Sequence, residues 1–436
     1  MKVANSNPIL PRPIRNNHLE GARVLITGIT GFVGPYLAKA LLDEGATVYG
    51  LVRRRSDGDL QRGLCDLGIE TQVIPIEGSV EDLTSLLTAV DRSEPEYVYH
   101  LAAQSFVERS FLNPLETFHA NATGTTNVLE ALRIKDKTES KFVYAGSSEE
   151  YGLVISSHKQ LDKYLKSNKH VFPRPQAVPE LPVNETNPLR PMSPYAVTKV
   201  FGEYITLNFH RSYGLKALVS RAFNHEGARR GGSFVTSTIA RQVMRLKFHQ
   251  QDRIVIGNLN PFRDWSHVAD TIQGYMLLAT KGEEGEVYNL GSERTNSVAT
   301  FLLWTLEQAG FSVRALSTPH GRRIAVEPAR KIMLRKFGKR FEASIIDELM
   351  LNEELEFLPS DSGVVVETDL GEVKIRFDAN RFRPADVPIL LSDSEKAKVS
   401  LGYKTNHSLT DIIREQLNYY GDPTRRQGTP RRESWQ

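Results

Sequence analysis

Tyr195 and Lys199, four residues apart, are the pair in this chain best spaced for proton chemistry. They follow Ser193-Pro194, a hydroxyl N-cap and a ring already set for a first helical turn, so the spacing predicts a helix with both side chains on one face. A phenol has an ordinary pKa near ~10, too high for a base at neutral pH, and an ammonium one turn away favours the phenolate. Upstream, Lys141-Phe-Val-Tyr-Ala-Gly-Ser147-Ser148-Glu149-Glu150-Tyr151-Gly152 reads as a strand that ends in a polar cluster. Ser147 can hydrogen-bond a hydroxyl or carbonyl, Ser148 stands beside it, and Glu149 or Glu150 can move a proton. The plain alternative is a packed tyrosine, a solvated lysine and a helix-capping Ser-Ser with surface acids.

The elements that must position these residues alternate strand and helix. Arg23-Val-Leu-Ile-Thr-Gly28 reads as a buried strand, followed by Ile29-Thr30-Gly31-Phe32-Val33-Gly34 and an apolar-periodic helix through Leu42. Glycines at 28, 31 and 34, between a strand and a helix, permit the tight turn that brings backbone amides and a helix N-terminus to a pyrophosphate. A second strand, Thr47 to Val52, runs into Arg53-Arg54-Arg55-Ser56. Where an acid would select the ribose 2′-hydroxyl of NAD, guanidinium groups favour the 2′-phosphate of NADP; a solvated basic loop is the alternative. A third strand is expected near 73–76, a helix from Val80, a fourth strand at 97–101 and a long helix from Pro114 to Arg133. The segment Leu101-Ala102-Ala103 lies at a strand's C-terminal end beside the cofactor, with Gln104 and Ser105 toward substrate. The pattern predicts an α/β fold, a Rossmann-like doubly wound parallel sheet with a smaller α/β substrate-binding lobe.

Composition narrows the classes. The 436 residues are 40% hydrophobic and 25% charged, with a net charge of +3, giving no argument for a nucleic-acid or membrane partner. Cys65 is the only cysteine, so neither an intramolecular disulfide nor a cysteine metal cluster can form. No apolar run reaches membrane-spanning length and the first 20 residues lack a signal-peptide core, so a cytoplasmic protein is expected.

Four segments follow. Residues 1–20 read as an extended arm, 21–222 as the cofactor domain with an insertion at 154–184, 223–420 as the substrate lobe with an insertion at 315–371, and 421–436 as a mobile tail. The helix 193–212 belongs to the cofactor domain. Insertion 154–184, with Lys159, Lys163, Lys166 and Lys169, reads either as a lid or as a surface excursion. Insertion 315–371 carries Arg330, Lys331, Arg335, Lys336, Lys339 and Arg340, read as a solvated helix face rather than a polyanion site, then an acidic helix at 347–356 and a hairpin at 364–377. Asn224, Arg263 and Arg383 are the candidates for a diphosphate, although Arg263 and Asp264 could pair with each other. His225 and His267 lack metal-ligand spacing and are expected to be hydrogen-bonded core residues; no metal is expected.

Taken together, the chain resembles the extended short-chain dehydrogenase/reductase superfamily, and most closely the GDP-mannose 4,6-dehydratase family. The resemblance rests on Thr27-Gly-Ile-Thr-Gly31, Arg53-Arg54, Ala103-Gln-Ser-Phe-Val107, Ser110-Phe111, Ser193-Pro-Tyr-Ala-Val-Thr-Lys199, and Phe223-Asn-His-Glu226 with Arg229-Arg230. Phe234-Val-Thr236, Gly257-Asn-Leu259, Arg263-Asp-Trp-Ser-His267, Asp270 and Phe382-Arg-Pro-Ala-Asp-Val387 extend it. It implies a redox-neutral dehydration of a nucleotide sugar such as GDP-mannose, with NADP taking a hydride from C4 and returning it to C6. Tyr195 would act as base on the C4 hydroxyl, Ser147 would hold the C4 oxygen, Lys199 would bind the nicotinamide ribose, and Glu149 would remove the C5 proton. A homodimer or homotetramer is implied, because the loop from Arg53 resembles one that reaches a neighbouring subunit's cofactor site. Two departures stand out. Glu150 occupies a place where these dehydratases carry an apolar residue, resembling instead the GDP-4-keto-6-deoxymannose reductases, and is assigned no proton-transfer role; Ser79 replaces an aspartate beside the adenine. A 4-keto reductase, an epimerase or decarboxylase, and a catalytically silent NADP-binding sensor are the alternatives.

Overall fold

Short runs rich in valine, isoleucine and tyrosine, each followed by a helix, form one large parallel sheet. In the computed structural model, which describes residues 8–10, 18–54, 62–168, 170–326 and 331–422, these strands are β1 (Arg23–Thr27), β2 (Thr47–Val52), β3 (Ile74–Glu77), β4 (Tyr97–His100), β5 (Lys141–Ser147) and β6 (Ala217–Ala222). A seventh strand, Val287–Leu290, completes the order Val287–Leu290, β6, β5, β4, β1, β2, β3. The order reverses between β1 and β4, the switch point where doubly wound sheets open a crevice. Register sets Thr27 beside His100 and Ser147 beside Ala222, aligning the C-terminal ends on one edge. Arg55, Ser56, Lys169, Arg330, most of the N-terminal arm and residues 423–436 lie outside the described residues.

Helices cover both faces. The first is α1 (Val33–Asp43), followed by α2 (Arg62–Cys65), α3 (Leu83–Ser93), α4 (Val107–Leu112), α5 (Pro114–Phe118), α6 (Gly124–Ile134), α7 (His158–Asn168) and α8 (Pro194–Tyr213). Leu37 and Leu41 of α1 pack with Val24, Ile26 and Val48 on one face; Leu86, Val128 and Phe209 of α3, α6 and α8 pack with Leu25, Val98 and Phe142 on the other. The expected long helix from Pro114 to Arg133 forms as one unbroken helical run, α5 and α6 continuing through a π turn at His119–Thr123. Asn121 lies within this π turn and is buried.

Beyond residue 222 the chain does not stay in the smaller lobe. Helix Val268–Lys281 and strand Val287–Leu290 return to the large sheet, because its β6 edge and the core under α1 need them as cover. The smaller lobe is a five-stranded sheet in the order Arg323–Ala325, Val313–Ser317, Gly363–Thr368, Gly371–Phe377, Arg253–Ile256. Helices Val235–Lys247, Val298–Ala309 and Leu409–Gly421 pack on it through Ile239, Phe301, Leu306 and Ile412. Segment 315–371 is therefore part of that core, and the hairpin at Gly363–Phe377 forms as expected. Its basic run is not a helix face: Ile332–Lys336 and Lys339–Ala343 form a second hairpin. Phe337 and Gly338, with φ of 53° and 72°, make the two-residue turn whose twist suits paired strands. The acidic helix is shorter than expected, Ile345–Leu351, ending before Glu353 at φ 60°. Among the described residues no helix is long and apolar enough to cross a membrane.

Candidate active site

The first half of the site is a backbone cradle. Gly28 has φ of 74°, and a Cβ there would sit 2.6 Å from the Ala102 nitrogen. A Cβ on Gly34 would meet the Gly28 carbonyl oxygen at 2.6 Å, so only glycine lets α1 start this close to β1. Helix α1 has no side-chain cap, which leaves its N-terminal amides for an anion. Gly28, Thr30, Gly31, Phe32 and Val33 form the accessible rim, with Leu101, Ala102 and Ala103 opposite. Thr27 Oγ1 meets His100 Nδ1 at 2.7 Å and the Ala102 N–H donates to the same oxygen at 3.3 Å, tying the two strand ends together. Burial holds His100 neutral, its pKa lowered to about 3. At the end of β2, a cavity of about 380 Å³ is lined by Arg53, Arg54, Glu77, Gly78 and Ser79. These features fit a dinucleotide: close backbone approach, free helix amides and a basic recess one strand away.

The second half is made by β5 and α8. The Ser193 hydroxyl accepts the Ala196 N–H at 3.1 Å, and Pro194 opens the helix, which sets Tyr195 and Lys199 inward. Both are buried, as are Ser147, Glu149 and Glu150. Lys199 Nζ donates to the Ala145 carbonyl at 2.7 Å and lies 5.9 Å from the centre of the Tyr195 ring. Burial raises the Tyr195 phenol above its usual range; Ser147 and Arg230 pull the other way, and Glu149 and Glu150 add to the rise. The cation one turn away is therefore anchored to β5 rather than to the phenol, and of the groups that favour the phenolate the Ser147 hydroxyl counts for most. Burial lowers Lys199 to about 8, with Glu150 opposing. In the turn after β5, the Glu149 N–H donates to Ser147 Oγ at 3.2 Å, and Arg263 Nε lies 3.9 Å from Glu149 Oε1. Among the described residues no cluster of three or more metal-ligating side chains occurs.

On the substrate side the structure redistributes several expected roles. Asn224 Oδ1 is buried and has no hydrogen-bond partner among the described residues. Arg263 does not pair with Asp264. Its guanidinium donates to Phe262 and Val387 carbonyls and to Asp386, while Asp264 accepts from Ser292 and Ser392. Arg383 reaches Asp386 only at 3.4 Å and stays partly exposed. Gln104 is committed elsewhere: it exchanges hydrogen bonds with the Phe106 backbone and donates to Thr117, because the chain between β4 and α4 needs an internal brace. Ser148 is 1% exposed and presents no surface to a ligand, whereas Ser105 is exposed. His225 and His267 are hydrogen-bonded, to the Phe223 carbonyl and to Glu415. Four contributors carried no sequence signal of their own. Asn121 donates to the Gln104 carbonyl and to Thr198 Oγ1 on α8; Arg221 and Glu203 pair beneath Glu150. Arg230, noted only within a motif, lies 3.6 Å over the Phe234 ring and 5.2 Å over Phe32, at the mouth of the cradle.

Comparison with known proteins agrees with this geometry. Residues 24–291 match the NAD dependent epimerase/dehydratase family. The chain is 31% identical over 404 residues to the GDP-mannose 4,6-dehydratase of Sinorhizobium fredii, covering 91% of this chain and 96% of that one. It is 30% identical over 402 residues to the GDP-mannose 4,6 dehydratase of Homo sapiens, covering 90% of each. Among solved structures, the fold matches RMD from Pseudomonas aeruginosa complexed with NADPH (TM-score 0.62, 22% identity, 92% and 99% covered). It also matches UDP-glucose 4-epimerase from Thermotoga maritima with UDP-glucose (TM-score 0.63, 23% identity, 91% and 98% covered). The chain belongs to the NAD dependent epimerase/dehydratase family and, within it, to the GDP-mannose 4,6-dehydratase family.

Proposed function

We propose that this chain is a nucleotide-sugar 4,6-dehydratase that converts GDP-mannose to its 4-keto-6-deoxy derivative. The observation that carries the reading is the convergence of Ser147, Glu149, Tyr195 and Lys199 at the end of β5, in a chain related to GDP-mannose 4,6-dehydratases over nine-tenths of its length. The glycine cradle and α1 would hold a dinucleotide, and Arg53 and Arg54 in their recess favour NADP, since two guanidinium groups there can fork a 2′-phosphate. A bound nicotinamide supplies the acceptor for the C4 hydride and its donor to C6. Tyr195, supported by Ser147 and Arg230, takes the C4 hydroxyl proton, and Ser147 steadies the C4 oxygen. Glu149, beside Arg263, removes the C5 proton that a 4-ketone acidifies and returns a proton to the departing C6 oxygen. Arg383, partly exposed and only loosely held by Asp386 at 3.4 Å, is the cation best able to turn to a diphosphate, and Asn224 would meet it through its amide N–H groups rather than through Oδ1. Incubating GDP-mannose with the protein without added NADPH should yield a product lighter by one water. An unchanged mass, with reduction of a 4-keto-6-deoxy sugar once NADPH is supplied, overturns this reading in favour of a reductase.

We also infer a homodimer. Leu112, Leu115 and Phe118 beside Val197, Phe201 and Tyr204 form an exposed apolar stripe across α4, α5 and α8. A two-fold axis would lay that stripe on its own copy, which hides apolar surface without a second complementary patch.

A further inference from the structure

Of the acids in the turn after β5, Glu150 is fully buried, and the proton balance around it is odd. Oε1 accepts the Ser147 N–H at 2.6 Å; Oε2 has no hydrogen-bond partner and lies 3.8 Å from Arg221 Nε. That guanidinium is already taken. Its Nε and Nη2 donate to the two oxygens of Glu203 at 2.8 and 2.6 Å, and its Nη1 donates to the Tyr151 hydroxyl and the Glu185 carbonyl, each at 3.0 Å. One cation therefore faces two buried carboxyl groups, Glu203 from α8 and Glu150 from the turn. The other ionisable groups that face it are Lys199 and Tyr195 of α8 and Tyr144 of β5, while Tyr151 meets it only through Arg221. Lys199 donates its hydrogen bond to the Ala145 carbonyl instead. An ionised Glu150 would leave one carboxylate oxygen without a protein donor in a fully buried position, which proteins avoid by keeping such a group neutral.

We propose that Glu150 is a positioning residue that holds a proton in the resting enzyme: as a neutral acid it accepts the Ser147 N–H and fixes the turn aiming Ser147 and Glu149, while placing no negative charge behind Tyr195. Ser147 and Glu150 close this turn as a reciprocal cap, the hydroxyl accepting from the turn's backbone and the acid accepting from Ser147. Burial first, and Glu203 second, push the Glu150 carboxyl well above its usual range. As an anion it would add to the forces that hold Tyr195 protonated. A neutral Glu150 keeps the structural bond and removes that opposition.

The inference rests on the dehydratase reading only for its kinetic arm. Infrared difference spectra of resting holoenzyme, parent against Glu150→Gln, should contain a protonated-carboxyl band that moves in heavy water and is lost in the variant. Its absence overturns the proposal whatever reaction the enzyme performs. With GDP-mannose, Glu150→Leu deletes the acceptor of a buried N–H and should lower kcat about tenfold while KM stays within about threefold. Glu150→Gln, the neutral isostere, should recover kcat to within about threefold of the parent with the alkaline limb of its pH profile in place. A Gln variant as slow as Leu, or with its alkaline limb displaced, shows that an anion is required and overturns the proposal. Should Glu150→Leu fail to fold, the infrared band and the Gln profile decide between the two states.

Discussion

Helix α8 inverts the ordinary amphipathic arrangement. Its inner face buries Tyr195, Thr198, Lys199, Glu203 and Thr206, while Val197, Phe201 and Tyr204 on its outer face are 39–61% exposed. The inner face is tolerable because most of its polar groups have protein partners. Lys199 donates to Ala145, Thr198 to the Tyr195 carbonyl, Thr206 to the Gly202 carbonyl, and Glu203 takes the Arg221 fork. Close packing against β5 adds to this: a Cβ on Gly202 would stand 2.0 Å from the Tyr144 hydroxyl oxygen. The outer face has no such satisfaction in one chain. On the proposed reading, hydropathy along this helix divides a face for chemistry from a face for assembly, and the two should fail in different ways.

Breaking the inner face should have the largest effect. Tyr195→Phe removes the base for the first step and should lower turnover by ~10²–10⁴-fold, with no nicotinamide absorbance change on adding GDP-mannose. Glu149→Gln should cost turnover within the same ~10²–10⁴ range, yet retain GDP-mannose binding and the absorbance change, because it acts after C4 oxidation. If Glu149→Gln turns over freely, the acid has been placed on the wrong residue. Neither variant should alter the molecular mass of the assembly.

The outer face should show the reverse. Leu115→Glu with Phe201→Glu places two charges in the apolar stripe and should halve the mass seen by light scattering while leaving circular dichroism intact. An undiminished mass rules out this face as the interface. Smaller still is the cofactor preference: Arg53→Ala and Arg54→Ala should each weaken NADP binding about tenfold and leave NAD binding nearly unchanged, narrowing the gap in titrations. Equal affinity of the parent protein for both cofactors would end the NADP reading.

What was legible in the sequence divides along similar lines. The glycine cradle, the Ser193-Pro194 start of α8 and the polar end of β5 are local: each needs a residue type that its own backbone turn demands. Roles decided by packing were not legible. Gln104 looked like a substrate contact because nothing in the sequence reveals that the loop before α4 uses it as a brace. Ser148 and Ser147 are indistinguishable in sequence, and only the pleat of β5 and the turn decide which is sealed inside. Arg263 met Asp386 and Glu149, far along the chain, rather than its neighbour Asp264. Charge alone makes the basic run near 335 look like a solvated face, although Phe337-Gly338 between two short alternating runs carries the hairpin signal. Arg221, Glu203 and Glu150 come together only when β6 pairs with β5 and α8 lies across them.

The smallest expected effect is a pH limb, and it tests whether the inner face acts through charge. Lys199 is buried and its pKa is lowered to about 8, so its ammonium is present below that value and is lost as pH rises through it. If the cation is needed, activity should fall to about half at or below about pH 8, since a neutral Glu150 gives the ammonium no opposing support, and continue downward. Unfolding predicts the opposite trend for this group. Its pKa in the unfolded chain is near ~10.4, so between about pH 8 and that value the unfolded state binds more protons than the native state. Stability contributed by Lys199 therefore rises with pH across that window, as the cost of a buried charge is relieved. Activity falling while the thermal midpoint holds or rises is the signature of a titrating Lys199. Lys199→Arg, which stays charged throughout, should be slower overall because the Ala145 contact is remade, but its limb should no longer lie near pH 8. A limb that stays in place in that variant assigns the titration to another group.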